Sequence, residues 1–431
     1  MFIYIILITT TLDFYLVQWM AESANEKKRK LFLILSLTLN LGLLFYFKYC
    51  NFFIENINVL FSMLNTSEVK WINVILPIGI SFYTFESLTY VVDVYRKEHK
   101  PLSNFTQYQL YILLFPKLIA GPIIRFSEIS DQITGRFATY NLDMILNGFC
   151  RFVIGLGKKV LIANVMAKMA DQIFSSPAAS LHTSEYWIGA LAYTFQIYFD
   201  FSGYSDMAIG LGKMFGFRFP ENFNNPYTSK SVTDFWRRWH ITLGNWMKNY
   251  LYIPLGGNKV KSDARLYFNL WLVFILSGFW HGAAWTFIAW GIYYGFWLVL
   301  ERMFLKTFLK KLGLFSWIFT FLIVVVGWVF FRSATISEAF SFVSHMFKPS
   351  EVLNTQIHID QKTRFIFAAA IFFSFFVLLP FGKKIQTYFY DNETKNLFSH
   401  FSFVIVCLGI FVLCLASITS SNFNPFIYFR F

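Results

Sequence analysis

The chain has 431 residues, 56% of them hydrophobic and 21% aromatic, and only 14% are charged against about 25% in soluble domains. Long apolar runs recur from end to end, which excludes a water-soluble globular protein and points to an all-α polytopic membrane protein. The net charge of +13, from 37 basic and 24 acidic residues, is read as lysine and arginine holding loops in the cytoplasm, not as a nucleic-acid surface.

About ten runs are long and apolar enough to cross a bilayer as helices. They lie near 1–19, 31–49, 71–93, 145–163, 186–201, 267–280, 283–300, 314–331, 364–381 and 400–419. The first lacks a basic leader and a small-residue cleavage site, so it reads as a spanning helix and not as a cleaved signal. Basic segments between runs, "EKKRK" (Glu26 to Lys30), "KTFLKK" (Lys306 to Lys311) and "FGKK" (Phe381 to Lys384), fit cytoplasmic loops. Strand alternation nowhere runs long enough for a barrel.

Three stretches do not read as simple spans. Residues 104–125 contain Pro116, Gly121 and Pro122, which break a straight helix. Residues 203–232 are rich in Gly, Pro, Asn and Ser, and residues 233–257 mix Trp, Arg, His, Lys and Tyr with Leu and Ile. Irregular backbone at membrane depth is tolerated only inside protein or beside a water-filled cavity. These stretches are therefore expected to form re-entrant or interfacial elements around a cavity. The segment 332–363 reads as the longest polar connection. No internal repeat is visible, which counts against a transporter of paired halves, and the chain is read as one integral-membrane domain, 1–431. Cys50, Cys150, Cys407 and Cys414 fall in or beside apolar stretches without a CxxC pair and are expected to be free thiols.

Charged and titratable groups at membrane depth need a reason. In "TDFWRRWHITLGNWMKNYLYIPLGG", residues 233–257, a helix begun at Thr233 places Trp236, His240, Leu243 and Met247 on one face, with Arg237 and Lys248 towards the other. Two readings fit: an interfacial amphipathic helix with Trp and Tyr in the headgroup belt, or a functional wall, because an anchor has no need of His240. His281, in "SGFWHGAAWTFIAWG", is followed by Gly282, Ala283 and Ala284, small neighbours that admit another backbone or a ligand. It is either a proton-transferring group, since imidazole titrates near neutral pH, or a histidine satisfied between helices. No carboxylate or second histidine stands three or four residues away, which argues against a metal. "YFDFSGYSDMAIG" gathers Asp200, Ser202, Tyr204, Ser205 and Asp206, either as interhelical hydrogen bonds or as the polar wall of a substrate cavity. "GLGKK", Gly155 to Lys159, lacks the spacing of a P-loop. The ending "NPFIYFRF" sets Tyr428 among Phe426, Phe429 and Phe431, as an aromatic belt or as a phenol presented to a reaction centre.

Together, "FWRRWHITLGNWMKNYLYIPLGGNK", "GFWHGAAWTFIAWG", "GISFYTFESLTYVVDVYR", "LIAGPIIRFSEI", "FSGYSDMAIGLGKMFGFRFPENFNNPY" and "PFIYFRF" resemble the membrane-bound O-acyltransferase family. The likeness is to its bacterial branch of alginate O-acetylases and peptidoglycan O-acetyltransferases. It implies about ten transmembrane helices with re-entrant helices around a tunnel joining donor and acceptor sides, in a multi-pass protein of the bacterial cytoplasmic membrane. It puts the family's essential histidine at His281 and its second polar position at His240, within a motif-rich catalytic region 233–285. It implies acetyl-CoA as the donor substrate, with no bound cofactor. Arg237, Arg238, Lys248 or Lys259 would meet the CoA phosphates, and a hydroxyl of an extracytoplasmic glycan would be the acceptor. The tail 426–431 resembles the end of the small accessory protein of teichoic-acid D-alanylation, which implies Tyr428 as an acyl relay to a cell-surface SGNH-type transferase. Members commonly carry one or two further hydrophobic segments ahead of the one beginning here at Met1. The reading from a different class is a transporter or polysaccharide-export subunit, which would leave thioesters intact.

Overall fold

Hydrocarbon offers peptide groups no water, so each must bond within its own segment. Accordingly, the described residues form helices and one isolated antiparallel bridge, Phe223 with Trp239. The structure, a computed structural model, describes residues 2–135, 141–177, 180–350, 357–390, 397–420 and 426. Every predicted apolar run overlaps a helix, though not over its whole length. Among the described residues, five helical stretches meet the length and apolarity needed to cross a membrane: Phe2–Glu22, Glu26–Met63, Trp285–Arg332, Gln361–Leu378 and Phe401–Ser420. The chain divides into two compact units, one mostly of residues 1–140 and the other mostly of residues 141–431.

The first unit holds α1 (Phe2–Glu22), α2 (Glu26–Leu44), α3 (Cys50–Met63), α4 (Ile80–Tyr95), α5 (Phe105–Leu113), α6 (Phe115–Leu118) and α7 (Phe126–Gly135). Asn25 caps α2 by accepting from the Lys27 and Lys28 amides. A π-helical turn, Phe45–Tyr49, joins α2 to α3. The expected helix over 71–93 begins only at Ile80. Residues 71–77 are irregular, and Pro77 and the left-handed Gly79 (φ 80°) end that stretch. The Asn51 side chain pairs with both the amide and the carbonyl of Val74, which satisfies backbone that no helix serves. The break expected in 104–125 is present between α5 and α6 and again at Gly121 (φ 107°). Several buried polar groups here are paired: Asp13 accepts from Ser36 and Asn40, and Lys117 forms an ion pair with Glu86.

The second unit holds α8 (Leu142–Gly157), α9 (Asn164–Phe174), α10 (Thr183–Met214), α11 (Val232–Arg238), α12 (Ile241–Trp246), α13 (Asp263–His281), α14 (Trp285–Leu300), α15 (Lys306–Leu312), α16 (Ser316–Arg332), α17 (Ile336–Phe347), α18 (Gln361–Phe375), α19 (Gly382–Tyr390) and α20 (Leu397–Ser420). A π-helical turn, Lys158–Ala163, makes α8 and α9 continuous. Two glycine pairs bring α8 and α10 together. A Cβ at Gly148 would lie 2.7 Å from the Gly210 carbonyl oxygen, and one at Gly155 would lie 2.5 Å from that of Gly203. Glycine at both levels lets the backbones touch, as small residues do between membrane helices. This corrects the expectation of irregular chain from residue 203: α10 runs on to Met214, because its glycines are packing surface and not breaks. The α13–α14 hairpin uses the same device, with Gly278 against the Phe287 carbonyl and Gly291 against that of Phe274.

Two further expectations are corrected. The polar connection 332–363 contains the amphipathic helix α17, whose N-terminus Thr335 caps by accepting from the Glu338 amide. The single helix from Thr233 is broken at Trp239 and His240, so Trp236 and His240 do not share a face. None of the four cysteines forms a disulfide; three are buried and Cys50 is half-buried.

Candidate active site

Segment 222–246 is shaped by a turn that the chain resists. Ser231 starts α11 by accepting from the Asp234 amide. Trp239 then leaves the helix extended, opposite Phe223. The Asn224 amide donates to the Arg238 carbonyl at 2.9 Å, and the Ile241 amide donates to the Asn222 carbonyl at 2.9 Å. Pinned between these bonds, His240 takes a left-handed conformation, φ 46° and ψ 54°. Such a backbone costs a non-glycine residue about 1–3 kcal/mol and gathers at functional sites.

The Asn222 side chain sets the orientation of the His240 ring. Its Oδ1 accepts from the Thr242 amide (3.3 Å) and hydroxyl (2.9 Å). An amide nitrogen can only donate, so the oxygen of Asn222 must face this way. His240 Nδ1, 3.1 Å from the same oxygen, is therefore the N–H donor. The Asn222 amide nitrogen in turn donates to Ser205 Oγ at 3.0 Å. Nε2 of His240 is buried and has no hydrogen-bond partner among the described residues. Burial, and after it the nearby His281, push the His240 imidazole well below its usual range. The ring is neutral and presents a lone pair at Nε2.

His281 ends α13 inside a cage of aromatic rings. The ring centroids of Trp280, Trp290 and Phe331 lie 5.0, 5.4 and 5.3 Å from its own. His240 is 2% exposed and His281 6%, so both sit away from bulk water. Their ring centroids are 6.5 Å apart, too far for one ring to hydrogen-bond the other and close enough for both to touch one small reacting group. Removing Asn222 frees the His240 ring. Asn222→Ala is expected to lower turnover about tenfold or more with little change in KM, because the loss falls on alignment. Asn222→Asp keeps the acceptor for Nδ1–H and should recover much of the rate; steady-state kinetics on the two variants checks this.

The other predicted residues fall in different places. Arg237, Lys248 and Lys259 are exposed, while Arg238 is half-buried and bonded to Asp234 at 2.9 Å. Tyr428 lies outside the described residues. Phe426 is described: it is buried, 4.7 Å from the Tyr204 ring and 6.3 Å from the Phe201 ring. Phe201 in turn packs 4.7 Å from the His240 ring. Asp200 and Asp206 are charge-paired within the bundle: Lys159 bonds Asp200 at 2.6 Å, and Arg151 and Lys158 both bond Asp206 at 2.6 Å.

Sequence reasoning missed Asn222, Arg151, Lys158 and Lys159. Their signal was present as three cations inside an otherwise apolar run, opposite two aspartates in another. Arg151 also bonds Glu221 at 2.6 Å. It thereby ties the neighbour of Asn222 to Asp206, the neighbour of Ser205.

The sequence model of the membrane-bound O-acyltransferase family matches residues 1–344. A probable alginate O-acetylase of Pseudomonas putida is 40% identical over 424 residues, covering 95% of this chain and 86% of that protein. A peptidoglycan O-acetyltransferase of Helicobacter pylori is 41% identical over 347 residues, 74% of this chain and 65% of its own length. A teichoic acid D-alanyltransferase of Bacillus subtilis is 30% identical over 248 residues, 54% of this chain and 61% of its own.

Proposed function

The chain belongs to the membrane-bound O-acyltransferase family, and from that premise we propose that it carries an acetyl group from cytoplasmic acetyl-CoA towards hydroxyls of an extracytoplasmic polysaccharide. The names of its relatives support an acetyl group and a glycan such as alginate or peptidoglycan. The observation that carries the chemistry is the pair of buried histidines 6.5 Å apart, one of them locked in a single tautomer.

A hydroxyl is a weak nucleophile at neutral pH and needs a base. In this reading His281 takes its proton as the oxygen attacks the thioester carbonyl carbon. The tetrahedral intermediate then breaks its C–S bond, and His281 returns the proton to the thiolate. The products are an oxygen ester and free CoA. Neutral His240 offers Nε2 as an acceptor to a donor group of the substrate other than the attacking hydroxyl, whose single proton goes to His281. The indole N–H of Trp290, buried beside His281 without a partner among the described residues, supplies a donor for the oxyanion. The exposed Arg237, Lys248 and Lys259 suit CoA phosphates at the cytoplasmic edge of the bacterial inner membrane, with Arg238 beside them.

Tyr428 is the first acceptor in this reading. Phe426 sits one ring removed from His240, through Phe201. Tyr428 follows it by two residues, so the chain keeps the two Cα atoms within about 7 Å. An acetyl ester on the phenol would pass to a hydroxyl of a separate SGNH-type transferase, which completes delivery to the glycan. The test is mass spectrometry of the purified protein after incubation with isotopically labelled acetyl-CoA. One label on the 426–431 peptide is expected, absent in Tyr428→Phe. Acetyl-CoA consumption without any covalent label would exclude the relay and leave direct transfer.

A further inference from the structure

We propose that α19 is an interfacial helix that binds anionic lipid headgroups of the cytoplasmic leaflet and, seated on them, holds the loop that orients His240. The helix lies in the connection between two stretches long and apolar enough to cross a membrane, Gln361–Leu378 and Phe401–Ser420, which places it at the membrane surface. Its lysines mark that surface as the cytoplasmic one. Three arcs of the helix face three surroundings. Gln386, Phe389 and Tyr390, at three- and four-residue steps, are half-buried against the protein. Phe381, just before the helix, lines up with Ile385 and Tyr388 in an exposed apolar stripe. Lys383, Lys384 and Thr387 are exposed on the remaining arc. A helix with an apolar stripe beside a basic one lies in the plane of the headgroups.

The charge selects the lipid. No acidic residue stands within α19, and neither Lys383 nor Lys384 has a carboxylate partner among the described residues. Both stand in the first turn, at the positive end of the helix dipole, where a cation is disfavoured and an anion is welcome. An anionic headgroup answers both the lysines and the helix end, while the neighbouring stripe of Phe381, Ile385 and Tyr388 enters the acyl region. A soluble phosphate answers only the first.

The inward arc reaches the site at two points. The Asn225 side-chain nitrogen donates to the Gln386 side-chain oxygen at 2.9 Å. Asn225 is left-handed (φ 47°) and stands three residues after Asn222, which sets the His240 ring. Its neighbour Asn224 donates its amide to the Arg238 carbonyl. The Tyr390 hydroxyl donates to Asp206 Oδ2 at 3.4 Å, and the Arg151 guanidinium lies 4.0 Å over the Tyr390 ring. The helix thus holds the loop at Asn225 and its tie to the bundle at Arg151, so a lipid that fixes α19 fixes both. The effect on turnover rests on the acyl-transfer reading above; lipid binding and the order of the loop do not.

The full-length protein is placed in nanodiscs of phosphatidylcholine alone, or of phosphatidylcholine and phosphatidylglycerol in equal parts. Amide hydrogen exchange is followed on the peptide covering residues 221–226, without acetyl-CoA. Phosphatidylglycerol is expected to slow that exchange about fivefold, the weight of one basic residue near an anionic surface. The double variant Lys383→Gln, Lys384→Gln is expected to lose the slowing and to match the wild type in phosphatidylcholine. The double variant Gln386→Leu, Tyr390→Leu is expected to retain bound phosphatidylglycerol, counted by native mass spectrometry, and to lose its effect on the loop. No slowing in the wild type, equal slowing in either double variant, or slowing by free glycerol phosphate in phosphatidylcholine discs would each overturn the proposal. Release of CoA from acetyl-CoA is measured on the same samples and should rise several-fold with phosphatidylglycerol. Release that is present but indifferent to the lipid would also overturn it. No release in either lipid, with the lipid-dependent exchange intact, would sink the acyl-transfer reading and leave the lipid site standing.

Discussion

Replacing His281 with alanine is expected to slow acetyl transfer from acetyl-CoA by about 10²–10⁴-fold, the usual contribution of a positioned general base. Trp280, Trp290, Phe331 and His240 are among its ring neighbours, and of these four only His240 titrates near neutral pH. His240 has its Nδ1–H committed to Asn222 and is pushed towards the neutral form by burial. It can accept a hydrogen bond, but it is a poor store for the proton that His281 would hold between attack and departure in the proposed reaction. His281→Gln separates chemistry from packing. It keeps much of the volume and a polar end but cannot cycle a proton, so its loss should match that of alanine. The measurement is release of free CoA per unit time, with thermal unfolding followed on the same samples. A His281→Gln variant that kept more than about a tenth of the wild-type rate would remove His281 from the role of base.

The two histidines were legible because they broke a pattern: titratable groups among residues that otherwise suit hydrocarbon. What joins them was not. His240 is turned by the bridge of its neighbour Trp239 to Phe223 and oriented by Asn222, and both Phe223 and Asn222 lie more than a dozen residues upstream in a stretch read only as irregular. Periodicity sees neighbours three and four residues apart and is blind to such a partner, so it extended one helix through Trp239 and His240. The same blindness affected α10. Gly203 and Gly210 read as breakers, but their meaning depends on Gly155 and Gly148 across the seam. Residues 71–79 failed the other way: apolar composition promised a helix, and Pro77 and Gly79 held it off until Ile80. The helix α17 carried a readable capping signal, Thr335 with Glu338 three residues on, that its polar surroundings masked. The aspartates left two readings open, bonding between helices or a cavity wall, and the structure supports the first. They anchor the bundle beside the site, because Arg151, Lys158 and Lys159 face them from α8 and the turn after it.

That anchor predicts the second large effect. Asp206 is 4% exposed and receives Arg151 through two nitrogens, at 2.9 and 2.6 Å, and Lys158 at 2.6 Å. Asp206→Ala leaves one buried cation, Arg151, and one half-buried cation, Lys158, without their shared carboxylate. Breaking one side of a buried ion pair costs about 3–5 kcal/mol, most of it the penalty of the stranded charge. Glu221, half exposed, can answer only part of it. The loss should appear as a marked fall in the melting temperature of the detergent-solubilised protein. It should also reach the site. Arg151 ties Asp206, next to Ser205, to Glu221, next to Asn222, and Ser205 and Asn222 set the His240 ring. Turnover should therefore fall even at temperatures where the variant remains folded. The triple variant Arg151→Met, Lys158→Met, Asp206→Leu separates the two effects. It strands no charge at these three positions, and apolar replacement of a whole buried ionic cluster is often neutral or stabilising. Melting temperature should recover most of the way, while turnover should stay low, because the clamp on Glu221 is still missing. If the triple variant recovered both, the cluster would be a stability element with no part in aligning His240. If Asp206→Ala melted like the wild type, the cations would have found water, and the cluster would not be buried in the working protein.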